Sequence, residues 1–436
     1  MPASRTRWTL IYWLSAAIVA QSIMALPFLA RYGTSFYSGD MPGFFLVLEQ
    51  MDEKFDYPIT VPIRADITKD PSATDRIAHN VYVRGPKIVF YALVYLFHAI
   101  LKALGVHSIG TAFTLLSWTC ACSTFVAVLF LTGTPERWSA PVSLSAGLSL
   151  LIFSHLYLFH LSNLYYVLNV PNYVHPAALF TTLSLILVWR FEGMFSQFAA
   201  GLLTGFLFGI TSAAPVFVTA LFGSNAIKSF RAPANHKTGR IISPLMFLAG
   251  GATSLTLLEF FYRLKGTSFL LRLWLHVREN LFQNHLGHLY PWSPVNTFHL
   301  LTYAIPFSFF LFLLQGIAQA DRNVLTATDR GMYLFLGLLF ALFSISPSTP
   351  LFRSVAPMIS ISLGMFFALN YRLYENKTLK SAAFGFALLL TMLVSGEAGY
   401  QLAFKLNKSH LRDIQNIIDR LEREEDSLGI LGFMGK

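Results

Sequence analysis

Charge is what this sequence has least of: Asp, Glu, Lys and Arg make up 12% of its 436 residues, about half the share in a soluble domain. A chain so poor in charge, with 54% hydrophobic residues and a mean hydropathy of +0.54, cannot cover a water-facing surface. Alternating apolar and polar residues are lacking too, which excludes a lipid-embedded β-barrel, the other structure able to pair its whole backbone inside hydrocarbon. Cysteine is almost absent. Cys120 and Cys122 lie two apart within one apolar run, on different faces of a helix, and this argues for buried structural thiols over a disulfide or a metal site.

What the sequence does have is a series of continuous apolar runs, several reaching the roughly 20 residues that cross about 30 Å of hydrocarbon as a helix. The expected fold is all-α, a polytopic transmembrane bundle of about 11 helices. The net charge of +10 comes from short Lys and Arg clusters between runs, the pattern of cytoplasmic membrane loops, and it speaks against nucleic acid as a partner. Arg5 and Arg7 precede the first run, about Trp8 to Ala30. That run is longer than a signal-peptide core and lacks a clear cleavage site, so it reads as an anchored first helix.

Basic residues at the start place helix 1 leaving the cytoplasm, and residues 31–87 become a first extracytoplasmic loop. Helices 2 (about Ile88 to Leu104), 3 (about Gly110 to Thr132), 4 (about Ser139 to His160) and 5 (about Pro176 to Trp189) follow. Helix 6, about Phe195 to Phe222, counts as one crossing interrupted at Gly205, Gly209 and Pro215, with two half-helices as the alternative. Helix 7 covers about Ile242 to Tyr262, and residues 263–296 form a second large outer loop. Helices 8 (about Thr297 to Ile317), 9 (about Met332 to Ser344), 10 (about Phe352 to Asn370) and 11 (about Ser381 to Phe404) complete one membrane domain over 1–404. Residues 405–436 form an amphipathic tail, with Leu411, Ile414, Ile417, Ile418 and Leu421 on one stripe. The count strains at two places: it leaves Arg137 and Arg190 outside, and it puts the aromatic segment Asn163 to His175 inside. A re-entrant stretch, or an error of one crossing between helices 3 and 6, would move that segment to the outer face.

Candidate chemistry gathers in the polar segments. Asp40 sits in Gly39-Asp40-Met41-Pro42-Gly43, about ten residues past helix 1. A carboxylate at the membrane boundary, partly desolvated, has a raised proton affinity that suits a general base. Asp40 equally fits as the cap of a helix over Phe44 to Met51. Glu49, Asp52, Glu53 and Asp56 share a helix face that could hold a divalent cation, Mg or Mn, through oxygen ligands; a solvated acidic face explains the same spacing. Glu49, Asp52, His175, His285 and His288 are read as substrate-binding or pocket residues, the histidines matching no zinc spacing. No metal ligand set is assigned, and a divalent cation, Mg or Mn, is the one cofactor left open. Arg353, near the start of an apolar helix, fits an anion such as a phosphate, or snorkels to the interface.

Three stretches together resemble the GT-C glycosyltransferases, polytopic enzymes of the mannosyl- and arabinosyltransferase kind that use polyprenyl-phosphate-linked sugars. Tyr37-Ser38-Gly39-Asp40 with Phe44-Phe45 is similar to the family's acidic motif in the first loop. Arg84-Gly85-Pro86, leading through Tyr91 and Tyr95 to Leu104-Gly105-Val106-His107-Ser108, resembles its second-helix pattern. Phe343-Ser344-Ile345-Ser346-Pro347-Ser348 with Arg353 and Pro357 looks like its late helix-loop-helix. Met41 departs from the pattern, because a second acid usually follows the first there, and no large soluble C-terminal domain is present. The resemblance implies Asp40 as the base, Arg353 and Arg84 as donor-phosphate ligands, and a lipid or glycan acceptor. It also implies an active site on the outer face of a membrane, with the bacterial inner membrane favoured by the chain's compactness. A flippase or transporter of lipid-linked saccharide, and an O-antigen-type polymerase or ligase, are the alternatives.

Overall fold

The computed structural model describes residues 87–107, 109–132, 173–191, 193–211, 214–230 and 237–278, with single positions 47, 48, 51 and 335. Every regular element among them is helical and none is a strand. In chain order they are α1 (Ile88–Ala103), α2 (Ile109–Thr132), α3 (Val174–Arg190), α4 (Met194–Phe206), α5 (Ala214–Phe230), α6 (Lys237–Leu264) and α7 (Phe269–Arg278), with a 3-10 turn at Leu207–Gly209 after α4. The apolar runs set these bounds, and glycine sets two of the stops. At Gly105 (φ +85°) and Gly266 (φ +73°) the chain enters the left-handed region that only glycine reaches without strain. Val106 N donates to the Leu101 carbonyl at the first stop and Thr267 N to the Tyr262 carbonyl at the second. Those bonds satisfy last-turn carbonyls that would otherwise be orphaned.

Helices α3 to α6 run alternately up and down. Ser184 of α3 donates to the Ala200 carbonyl of α4, and Thr204 of α4 donates back to the Ser184 hydroxyl, at 3.3 and 3.2 Å. Nearer the α3 to α4 turn, Gln197 Nε2 donates to the Val188 carbonyl at 3.4 Å, so the two helices are antiparallel. Ser243 of α6 donates to Asn225 of α5 at 3.3 Å, and the rings of Phe247 and Phe222 lie 6.2 Å apart, so these two are antiparallel as well. Gly201 lies against Phe247 and Gly205 against Gly251, so α4 and α6 run parallel, and they are the most closely packed pair.

Their closeness has a direct cause in composition. A β-carbon on Gly201 would overlap the backbone carbonyl of Phe247, and one on Gly250 would overlap the carbonyl of Phe198. One on Gly205 would come within 2.7 Å of the Gly251 carbonyl oxygen. Glycines at these positions let two backbones touch, as in the small-residue crossings of membrane helices. Ser254 Oγ then reaches across to the Leu202 carbonyl at 2.6 Å. On α6 the residues facing α4 and its neighbours, Phe247, Gly250, Ser254, Leu258 and Tyr262, form one buried stripe at helical spacing. Ile241, Leu245, Leu248, Leu257 and Phe260 form an exposed apolar stripe on the other side.

Among the described residues, Ile241–Leu264 is the helix long and apolar enough to cross a membrane. A soluble protein's core helix passes the same test of length and composition, but it is mostly buried. Here only 22% of the apolar window is buried within the protein.

Two expectations change. The stretch taken as one interrupted helix 6 is a helical hairpin. The 3-10 turn at Leu207–Gly209 and the Ile210–Thr211 turn reverse the chain, and α5 continues to Phe230. The second large loop, 263–296, is helical over Phe269–Arg278. Cys120 is buried, as its apolar run suggested.

Candidate functional site

The hairpin fixes two opposite ends for the α3 to α6 group. One end carries Lys228, whose Nζ donates to the Val188 carbonyl at 2.5 Å and lies 5.3 Å from the centre of the Trp189 ring. Gln197 Nε2 also donates to the Phe191 carbonyl at 3.2 Å, so the open C-terminus of α3 is closed by side chains from α4 and α5. Arg190, the end of α5 at Phe230 and the start of α6 at Lys237 belong to this end.

The other end begins with Lys87, the last residue of the first polar segment. Lys87 is buried, and its ammonium lies 3.5 Å from the centre of the Tyr173 ring, immediately before α3. A cation held over an aromatic face is stabilised by roughly 0.5 to 2 kcal/mol, the upper part of that range applying when water is excluded. Phe90 packs edge-on against Tyr173 at 6.2 Å and also against Phe113 at 5.9 Å. Two residues later, His175 is completely buried near the start of α3. The starts of α1 and α3 therefore share an end.

The reversing turn joins this end to α6. A β-carbon on Gly209 would meet Val89 of α1 at 2.5 Å and Leu258 of α6 at 3.5 Å, so this glycine sits wedged between them. Just beyond Leu258 comes a corner built around one carboxylate. Glu259 Oε1 accepts from Arg263 Nε at 2.6 Å, while Oε2 accepts from the Ser268 hydroxyl at 3.1 Å and from the Leu270 amide at 2.9 Å. Ser268 Oγ in turn accepts from the Leu271 amide at 3.2 Å, which makes it the N-cap of α7. Arg272 is buried and donates from Nε to Thr267 Oγ1 at 3.0 Å. Glu259 is thus occupied in holding the start of α7 against the end of α6.

Of the residues singled out in the sequence, His175 is brought to the Lys87 end. Asp40, Glu49, Asp52, Arg84, His285, His288 and Arg353 lie outside the described residues. Val47, Leu48 and Met51 are helical, inside the stretch expected to form a helix over Phe44 to Met51. Among the described residues, no group of three or more His, Cys, Asp or Glu side chains is gathered to hold a metal. Sequence reasoning missed the Lys87 and Tyr173 pair, whose partners are 86 residues apart and share no local pattern. It also left Glu259 unassigned, although an acid four residues before Arg263 inside an apolar run signals an ion pair on one helix face.

The Lys87 end therefore receives the close of the first polar segment, the close of the aromatic segment before α3, and the opening of the second large segment after α6. No family model matches the chain, and no curated protein matches it either.

Proposed function

We propose that this chain is a polytopic membrane glycosyltransferase that moves a sugar from a polyprenyl-phosphate-linked donor to an acceptor hydroxyl on the extracytoplasmic face. The single observation that supports it most is the convergence of the three polar segments on one end of the helix group. An enzyme with a lipid-anchored donor needs its loops collected where the donor's phosphate emerges from hydrocarbon. The opposite end carries Arg190, Lys228 and the first turn of α6 with Lys237 and Arg240, the distribution expected of a cytoplasmic side.

In this reading Asp40 accepts the proton of the acceptor hydroxyl as its oxygen attacks the anomeric carbon. The bond from that carbon to the phosphate oxygen breaks, and the polyprenyl phosphate leaves with the electron pair. Arg353 and Arg84, the latter three residues before Lys87, neutralise the charge that gathers on the departing phosphate. Positioning two substrates on a fixed surface supplies much of the remaining barrier reduction. The acceptor is a lipid or glycan, and the compartment is the bacterial inner membrane.

A transporter of lipid-linked saccharides is the second reading, favoured by the buried polar row of Ser184, Gln197, Thr204 and Asn225. Most of that row is engaged in helix contacts, with Thr204 Oγ1 also donating to the Ala200 carbonyl at 2.7 Å. The two readings separate in one assay. Membranes containing the chain are given radiolabelled polyprenyl-phosphate sugars, and the label is followed into water-soluble and lipid-linked products. New glycosidic product that is absent from empty membranes is the expected result; movement of intact donor across vesicles without product assigns the chain to transport.

A further inference from the structure

We infer that α7 is an interfacial helix, seated in the outer leaflet of the bilayer with Leu270, Leu271 and Trp274 among the lipid headgroups and upper acyl chains. This rests on the crossing of the membrane by α6 and is independent of the transfer chemistry. The 24-residue apolar span of α6 is about 36 Å long at 1.5 Å per residue, enough to bring Leu264 to the hydrocarbon boundary. The chain then turns at Gly266, and α7 follows after two more residues.

Ten residues make α7 about 15 Å long, too short to cross. Its inner face is committed to the protein: Phe269 and Leu273 are buried, the Phe269 ring packs edge-on against Tyr262 at 5.3 Å, and Arg272 is bonded to Thr267. Its outer face presents Leu270, Leu271 and Trp274, each about half exposed. That face continues the exposed apolar stripe of α6 through Leu257, Phe260 and Leu264. One continuous apolar surface running off the end of a spanning helix is matched by lipid, and a tryptophan at its far edge is the residue type that settles at headgroup depth. Glu259 makes the arrangement rigid, since it accepts from the Leu270 amide and the Ser268 hydroxyl at the start of α7 while belonging to α6.

The test uses the full chain with Cys120→Ser and Cys122→Ser, reconstituted in phosphatidylcholine and phosphatidylglycerol vesicles, carrying one nitroxide at a time. Labels are placed through Leu271→Cys and Trp274→Cys on the outer face, Leu273→Cys on the inner face and Leu248→Cys in mid α6. Collision with oxygen, which concentrates in hydrocarbon, is compared with collision with a water-soluble nickel chelate. The inference predicts an excess of oxygen over nickel at 271 and 274 that is smaller than at 248, and little collision with either at 273. Nickel-dominated collision at 271 and 274 overturns it by placing the face in water. Protection from both reagents there overturns it by placing the face under protein, a second copy included. A nickel-dominated label at 248 removes the α6 crossing itself, a different failure from loss of the interfacial helix.

Discussion

Asp40→Asn is expected to lower sugar transfer by about 10²- to 10⁴-fold, the usual contribution of a positioned general base, with no change in the amount of folded protein. The amide keeps the size and the hydrogen-bonding reach of the carboxylate and removes only its ability to accept the acceptor's proton. The loss should appear in kcat and leave the donor KM nearly unchanged, because proton abstraction is made in the transition state and not in the bound ground state. A residue that only capped the following helix would behave differently, since asparagine caps as well as aspartate does. The asparagine variant would then be close to wild type, whereas Asp40→Ala would lower stability. Measuring transfer and thermal unfolding on both variants distinguishes a catalytic acid from a cap.

Gly201→Leu is expected to destabilise the protein by at least about 3 kcal/mol, the upper range for forced overpacking. The reason lies in what the new side chain meets. Its β-carbon alone would overlap the Phe247 carbonyl, which is backbone and cannot rotate away. The whole α4 to α6 crossing must open instead, and the 2.6 Å bond from Ser254 to Leu202 goes with it. Gly251→Ala is the matched control, because a β-carbon there meets the Gly201 carbonyl oxygen at an ordinary 3.6 Å. It should be neutral, or stabilising by up to about 1 kcal/mol from better helix propensity. Unfolding midpoints of the two variants in detergent check the pair. Equal losses would mean that the crossing is looser than the glycine contacts imply.

Much of the helical layout was legible from composition and spacing, and the reason is physical. A run of apolar residues needs both an internally bonded backbone and somewhere to bury its face, so α1, α2, α3 and α6 follow the runs to within a few residues. Gly105 could be read as a stop because a left-handed residue after a helix favours glycine. The hairpin of α4 and α5 was not legible. Glycines at 205 and 209 with Pro215 serve equally well to kink one span or to reverse the chain, and the choice depends on which faces find partners on α3 and α6. The α7 helix was hidden for another reason: Arg272, His276 and Arg278 within ten residues look like a solvated loop until Glu259 and Ser268 are seen to hold the amides of the helix's first turn. Of the candidate site, His175 could be chosen from its place beside an aromatic segment, whereas the Lys87 and Tyr173 contact is a product of tertiary packing alone.

The convergence of polar segments on one extracytoplasmic end is tested most directly by accessibility. In a background of Cys120→Ser and Cys122→Ser, Tyr173→Cys and Arg190→Cys are exposed in turn to a membrane-impermeant maleimide, on intact cells and after permeabilisation. The account predicts that the cysteine at 173 reacts in intact cells and that the one at 190 reacts only after permeabilisation. The reverse pattern, or reaction of both from the same side, would contradict it.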